Sequence, residues 1–121
     1  MSYSLHIADT RKYIIVIIKG PITIDLARQY SMEAREMGRS TGIQRFLFDV
    51  RDATNRSSTF ENYEFAYRNA QEMQLERKVH SAILADPNDS SHDFVELTMR
   101  NAGFCVKLFR DEDTAINWLE E

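Results

Sequence analysis

A chain of 121 residues, 43% hydrophobic and 28% charged, has the size and make-up of one globular domain spanning 1–121, large enough to bury a core without staples. Its formal net charge of −4, with the basic residues scattered, argues against a nucleic-acid binder, which needs a basic surface to meet phosphates. The single cysteine, Cys105, excludes an internal disulfide.

In chain order, Ser4-Leu5-His6-Ile7-Ala8 alternates and predicts a half-exposed first strand, with Leu5 and Ile7 on one face. A polar turn, Asp9-Thr10-Arg11-Lys12, then joins it to Tyr13-Ile14-Ile15-Val16-Ile17-Ile18, so the two strands are expected to form an antiparallel hairpin. The second strand is β-branched and does not alternate, the mark of a strand covered on both faces. After Lys19-Gly20-Pro21, Thr23 caps a first helix whose inward stripe is Leu26, Ala27, Tyr30, Ala34 and Met37, ending at Gly38 or Gly42.

Residues 43–50 are the third strand, and 51–57 form a polar loop. Ser58 with Glu61 is a capping box that opens a second helix, with Tyr63, Ala66, Tyr67, Ala70 and Met73 on its apolar face. Residues 79–85 are the fourth strand, closed by Asp86-Pro87-Asn88-Asp89. Ser90 with Asp93 is a weaker cap for a third helix that buries Phe94, Val95, Thr98 and Ala102 and stops at Gly103. Residues 105–109 are the fifth strand, where Phe104 and Val106 make Cys105 a core thiol. Asp111 caps the last helix, which turns Ala115, Trp118 and Leu119 inward.

This order, ββαβαβαβα, predicts an α/β fold with a mixed, mostly parallel five-stranded sheet and four helices. Right-handed crossovers make strands two onward parallel and leave strand one as an antiparallel edge. The alternation of strand one fits helices gathered on one face, with the second face partly open. The chain shows no basic-then-apolar leader and no apolar run of membrane-spanning length, so a cytoplasmic protein without a membrane span is expected.

The arrangement resembles the STAS domain, in its SpoIIAA-like (STAS/SEC14-like) branch. The resemblance is carried by the element order and size, by strand three ending Phe48-Asp49-Val50-Arg51, and by the close Val106 to Leu119, with an acidic cap before Ala115-Ile116-Asn117-Trp118-Leu119. It implies a regulatory binding module that is not an enzyme and needs no cofactor. Several STAS domains are switched by phosphorylation in an Asp-Ser-(Ser/Ala)-Gly motif after strand three. Here Asp52-Ala53-Thr54-Asn55-Arg56-Ser57-Ser58-Thr59 stands in its place, so no phosphoacceptor is carried over. Fold similarity to the SEC14 group implies a small apolar ligand as one partner class, and the STAS pattern implies a regulatory protein as another.

The candidate site is the segment leaving strand three, with Asp49, Arg51, Asp52, Arg56, Ser57, Ser58 and Thr59. It lies where open α/β sheets place their sites and feeds a helix N-terminus, whose free N–H groups favour anions or an acidic partner. The plainer account is that Ser58 caps its helix while Arg51 and Arg56 pair with Asp49 and Asp52. Asp49, Asp52, Asp86 and Asp89 follow neighbouring strands and raise a second possibility, a small enzyme or phosphoacceptor using these acids, although turn formation explains Asp86 and Asp89. The histidines, His6, His80 and His92, have no ligand-like spacing, and no metal motif is present. Phe60, Tyr63, Phe65 and Tyr67 make the second helix more aromatic than one core stripe requires, so Phe60 and Phe65 are candidates for a homodimer or ligand surface.

Overall fold

The β-branched run is the second strand of a five-stranded sheet in the computed structural model, which describes residues 2–121. The strands are β1 (Ser2–Ile7), β2 (Ile14–Ile22), β3 (Arg45–Asn55), β4 (His80–Leu84) and β5 (Cys105–Phe109), lying side by side in chain order. β1 is antiparallel to β2, with Leu5 opposite Val16, and every other neighbouring pair is parallel. The helices are α1 (Ile24–Thr41), α2 over residues 59–72, α3 (Asp93–Asn101) and α4 (Glu112–Glu120). This is the α/β architecture the sequence predicts, with strand one at an edge.

Alternation along the strands divides the core in two. Ile14, Val16, Ile18, Phe46, Val50, Ile83 and Val106 face α1, α2 and α3, while Leu47, Ala82, Leu84 and Phe109 face α4. Ile14, Val16, Ile18, Leu84 and Leu119 are sealed from solvent, each burial stabilising by roughly 1.5–3 kcal/mol. The helices are therefore not gathered on one face. The final helix crosses to the second face because Ala115, Leu119 and the half-buried Trp118 match the apolar side chains that β3, β4 and β5 turn that way. Trp118 stacks on His80 at 5.5 Å between ring centroids and packs against Phe109 at 5.6 Å.

Three local expectations are corrected. The segment 51–55 is strand, not loop: β2 runs on through Gly20 and Pro21 to Ile22 and pairs with it, Lys19 with Asp52 and Ile22 with Asn55. Ile17 pairs with Asp49, so β3 carries one extra residue before Asp52; this bulge breaks the alternation and lets both Val50 and Ala53 face the same core. Among the described residues β1 pairs β2 as far as Lys19, short of Pro21, whose missing N–H therefore costs no ladder bond there.

The second correction concerns α2, whose α turns (Thr59–Glu64) pass into a π turn (Phe65–Asn69) before one last α turn (Ala70–Glu72). The wider turn rotates the helix: Ala66, Ala70 and Met73 are buried as predicted, but Tyr63 and Tyr67 point outward and stack on one another at 4.6 Å. Phe60 is exposed, whereas Phe65 packs against the main core. Third, Ser90 does not cap α3. Its carbonyl accepts the Asp93 N–H, and His92 stands at the N-cap with no side-chain capping bond. The caps at Thr23, Ser58 and Asp111 are all made by side-chain oxygens, the Ser58–Glu61 pair as a full capping box.

Candidate functional site

The segment proposed from sequence is split by the sheet. Asp49 and Arg51 form a pair, the guanidinium donating to the carboxylate from Nε at 3.0 Å and Nη2 at 2.8 Å, with the Arg51 backbone N–H adding a third bond at 3.2 Å. Burial alone would raise the Asp49 pKa, but these bonds and the positive charge outweigh it, so the carboxyl sits below its usual range. The bond to Asp49 raises the Arg51 pKa in turn, with the carboxylate of Glu112 on α4 only 3.6 Å away. Asp52 and Arg56 are exposed, and Thr59 is the exposed first residue of α2. Ser58 is engaged at both ends of its capping box, its Oγ accepting the Glu61 N–H at 3.1 Å and its N–H donating to Glu61 at 2.8 Å. Ser57 is half-buried, donates its N–H to Asn55 Oδ1 at 3.0 Å and reaches the interior between sheet and helices.

The other strand-end acids are held in turns. Asp86 accepts the Asn88 N–H at 2.8 Å, and Asp89 accepts the Ser91 N–H at 2.9 Å. Burial raises the Asp89 pKa less than the bonds from Ser91 and the nearby His92 and Arg110 lower it. Among the described residues, no cluster of three or more His, Cys, Asp or Glu side chains is placed to hold a metal ion.

An apolar concave feature lies elsewhere, and sequence reasoning missed it. A cavity of about 480 Å³ runs between the sheet and the helices on the main face. Its origin is in side-chain size. α1 leans on β2 and α3 on β5, and the residues α1 turns inward include Ala27, Ser31 and Ala34, too small to fill the space above β3 and β4. The floor is Phe46, Phe48, Val50, Ser81 and Ile83. An aromatic row borders it: Tyr3 lies 6.2 Å from Tyr30, Tyr30 6.0 Å from Phe48, and Phe48 6.2 Å from Phe46. Burial alone pushes the Tyr30 hydroxyl's pKa up. The one signal in the sequence was this row of small residues at three-and-four spacing on a face otherwise read as core.

The cavity is polar at its two ends. At one end Asn55, Ser57, Asn62 and His92 form a satisfied network. Asn55 donates to Asn62 Oδ1 at 3.3 Å and to the Ser91 carbonyl at 3.1 Å, and buried His92 donates from Nε2 to the Ala53 carbonyl at 2.9 Å. At the other end stand Arg35, Arg39, Glu76 and Lys78. α1 and α2 meet across the gap through polar bonds, Arg28 to the buried Asn69 of the π turn and Arg35 to Gln74 just beyond α2.

Solved structures share this fold. An anti-sigma factor antagonist from Mycobacterium paratuberculosis superposes with a TM-score of 0.60 at 14% identity, covering 99% of this chain and 96% of that one. The Bacillus cell fate determinant SpoIIAA in its phosphorylated form gives 0.57 at 12% identity, covering 98% and 99%. An uncharacterised protein with a SpoIIAA-like fold from Shewanella loihica gives 0.52 at 18% identity, covering 98% and 92%. The chain has the SpoIIAA-like fold. No family model and no curated protein matches the sequence. Among the described residues, no helix of this SpoIIAA-like structure is long and apolar enough to cross a membrane.

Proposed function

We propose that this SpoIIAA-like chain is a non-enzymatic regulatory module that takes a small apolar ligand in the cavity between its sheet and helices. The observation that carries this reading is the cavity itself: about 480 Å³, walled mainly by aliphatic and aromatic side chains with its amide and charged groups at the ends, in the size range of small-molecule sites. The regulatory half of the reading is supported by likeness of fold to anti-sigma factor antagonists and is an analogy from them to this chain.

Ser57 supplies the link between pocket and surface. It lines the cavity and is followed directly by Ser58 and Thr59 at the exposed start of α2. A ligand that shifts Ser57 therefore shifts the surface of Arg56, Ser58 and Thr59, where a protein partner would dock, with Asp49, Arg51 and Asp52 on the preceding strand. The exposed rings of Phe60, Tyr63 and Tyr67 extend that surface, and a homodimer through them belongs to the same reading, in a cytoplasmic protein.

The test is uptake of the neutral dye Nile red, whose emission rises in apolar surroundings, by wild type and by Ala34→Phe. Ala34 is buried on α1 at the cavity wall, so the larger ring occupies the space. Saturable enhancement in wild type and its loss in a variant that melts at the same or a higher temperature is the expected result. Equal enhancement in both proteins would place the dye outside the cavity and sink the ligand reading.

A further inference from the structure

We propose that the ligand is a straight-chain amphiphile with one carboxylate, its tail over the floor of β3 and β4 and its carboxylate at Arg35. This rests on the ligand-binding reading and adds the chemistry and orientation of the occupant.

Four observations carry it. The cavity follows α1 from Ile24 to Arg39, a path of roughly 22 Å at helical rise, which suits an extended chain better than a compact ring system. The charged residues lining it are Arg35, Arg39 and Lys78 against Glu76, an excess of cations in a chain whose net charge is −4. Glu76 pairs with Arg39 at 3.8 Å, while among the described residues Lys78 is within reach of no acid. Arg35 holds the decisive atom. Its side chain is only 14% exposed; Nη1 meets Glu36 at 2.7 Å and Nη2 the Gln74 amide at 3.4 Å, but Nε is buried without any partner. A buried guanidinium N–H without an acceptor is costly; Nε is sealed from the cavity as well as from solvent, and a turn of the Arg35 guanidinium towards a carboxylate at this end of the cavity removes that cost with a charge-assisted bond.

The orientation follows from the contrast between the ends. Asn55, Asn62 and His92 already satisfy one another or the backbone, so that end offers an anion little. The Arg35 end has a donor to spare and the surplus of positive charge.

The measurement is displacement of Nile red from the full chain by hexadecanoate and by hexadecanol, which share a tail and differ in the head. Hexadecanoate should displace the dye at about tenfold lower concentration, or less, than the alcohol, the worth of one charge-assisted bond. Arg35→Gln should bring the two competitors to near parity while Arg35→Lys retains part of the difference. The surface variant Arg39→Gln with Lys78→Gln, which leaves the core untouched, should narrow it severalfold, so the test survives a misfolded Arg35 variant. Decanoate should compete far more weakly than hexadecanoate, each methylene lost from an apolar wall costing up to about fourfold.

Equal displacement by acid and alcohol in wild type would overturn the carboxylate proposal and leave the apolar cavity standing. Nile red uptake by wild type that neither competitor reverses would overturn the chain-like occupant. Failure of wild type to take up Nile red at all would overturn the cavity reading and this inference with it.

Discussion

Asp49 shows how a residue can look catalytic and behave as structure. It ends the pairing of β3 with β4, at the end of a central strand where acids of α/β enzymes sit, yet both carboxylate oxygens are taken by Arg51. Its pKa is depressed in the folded state, so its contribution to stability is present above the ordinary value of 3.8 and is lost as pH falls through the lower, folded value. Urea unfolding of wild type and Asp49→Asn should show a clear stability gap at pH 6 that closes steadily below pH 4. A gap independent of pH would mean that the pair with Arg51 does not form in solution. Ser58 is of the same kind, since both of its polar groups serve the start of α2.

At the scale of elements, glycines on one helix do two different jobs. Gly42 ends α1 with φ of 77° and nothing near a would-be Cβ, so only backbone strain opposes a side chain there. Gly42→Ala should lower stability by about 1 kcal/mol and Gly42→Asn by less, as read by chemical denaturation; equal stability of all three proteins would contradict the left-handed cap. Gly38 lies inside the helix, where a Cβ would come within 2.8 Å of the Phe46 ring, so it permits close approach of helix and sheet. The sequence offered both as stops because either glycine can end a helix; which one does depends on Phe46, a contact that spacing cannot show. Most of the fold was legible for the opposite reason. Caps at Thr23, Ser58 and Asp111, the apolar run of β2 and the left-handed Gly103 are local signals that tertiary structure did not override. The bulge in β3 and the π turn in α2 were not legible. Each inserts one residue into a regular period, and the compensating partners, Lys19 opposite Asp52 and Arg28 bonded to Asn69, are distant in sequence. The cavity was hidden likewise, because Ala27, Ser31 and Ala34 show the spacing of a packed stripe and only three dimensions show that nothing fills the space opposite.

For the molecule as a whole, the sheet separates stability from binding. The α4 face is closed, with Leu84, Ala115 and Leu119 sealed and the Arg45 guanidinium bonded to the Leu119 and Glu121 carbonyls at the chain's end. The opposite face holds the cavity. Leu119→Ala should therefore cost about 2–5 kcal/mol in unfolding while leaving Nile red affinity unchanged at temperatures where the variant stays folded. Loss of binding in the folded variant would show that the two faces are energetically coupled.

Trp118 turns that separation into a readout. It is the single tryptophan of the chain, and it stacks on His80 on the face away from the cavity, so the indole touches nothing that a bound molecule would touch. Its intrinsic emission is thus a natural control channel, following unfolding while staying silent to simple occupancy. Should it shift when a ligand is added to the folded protein, the shift would measure strain passed through the strands themselves, a signal travelling across the sheet rather than along its surface.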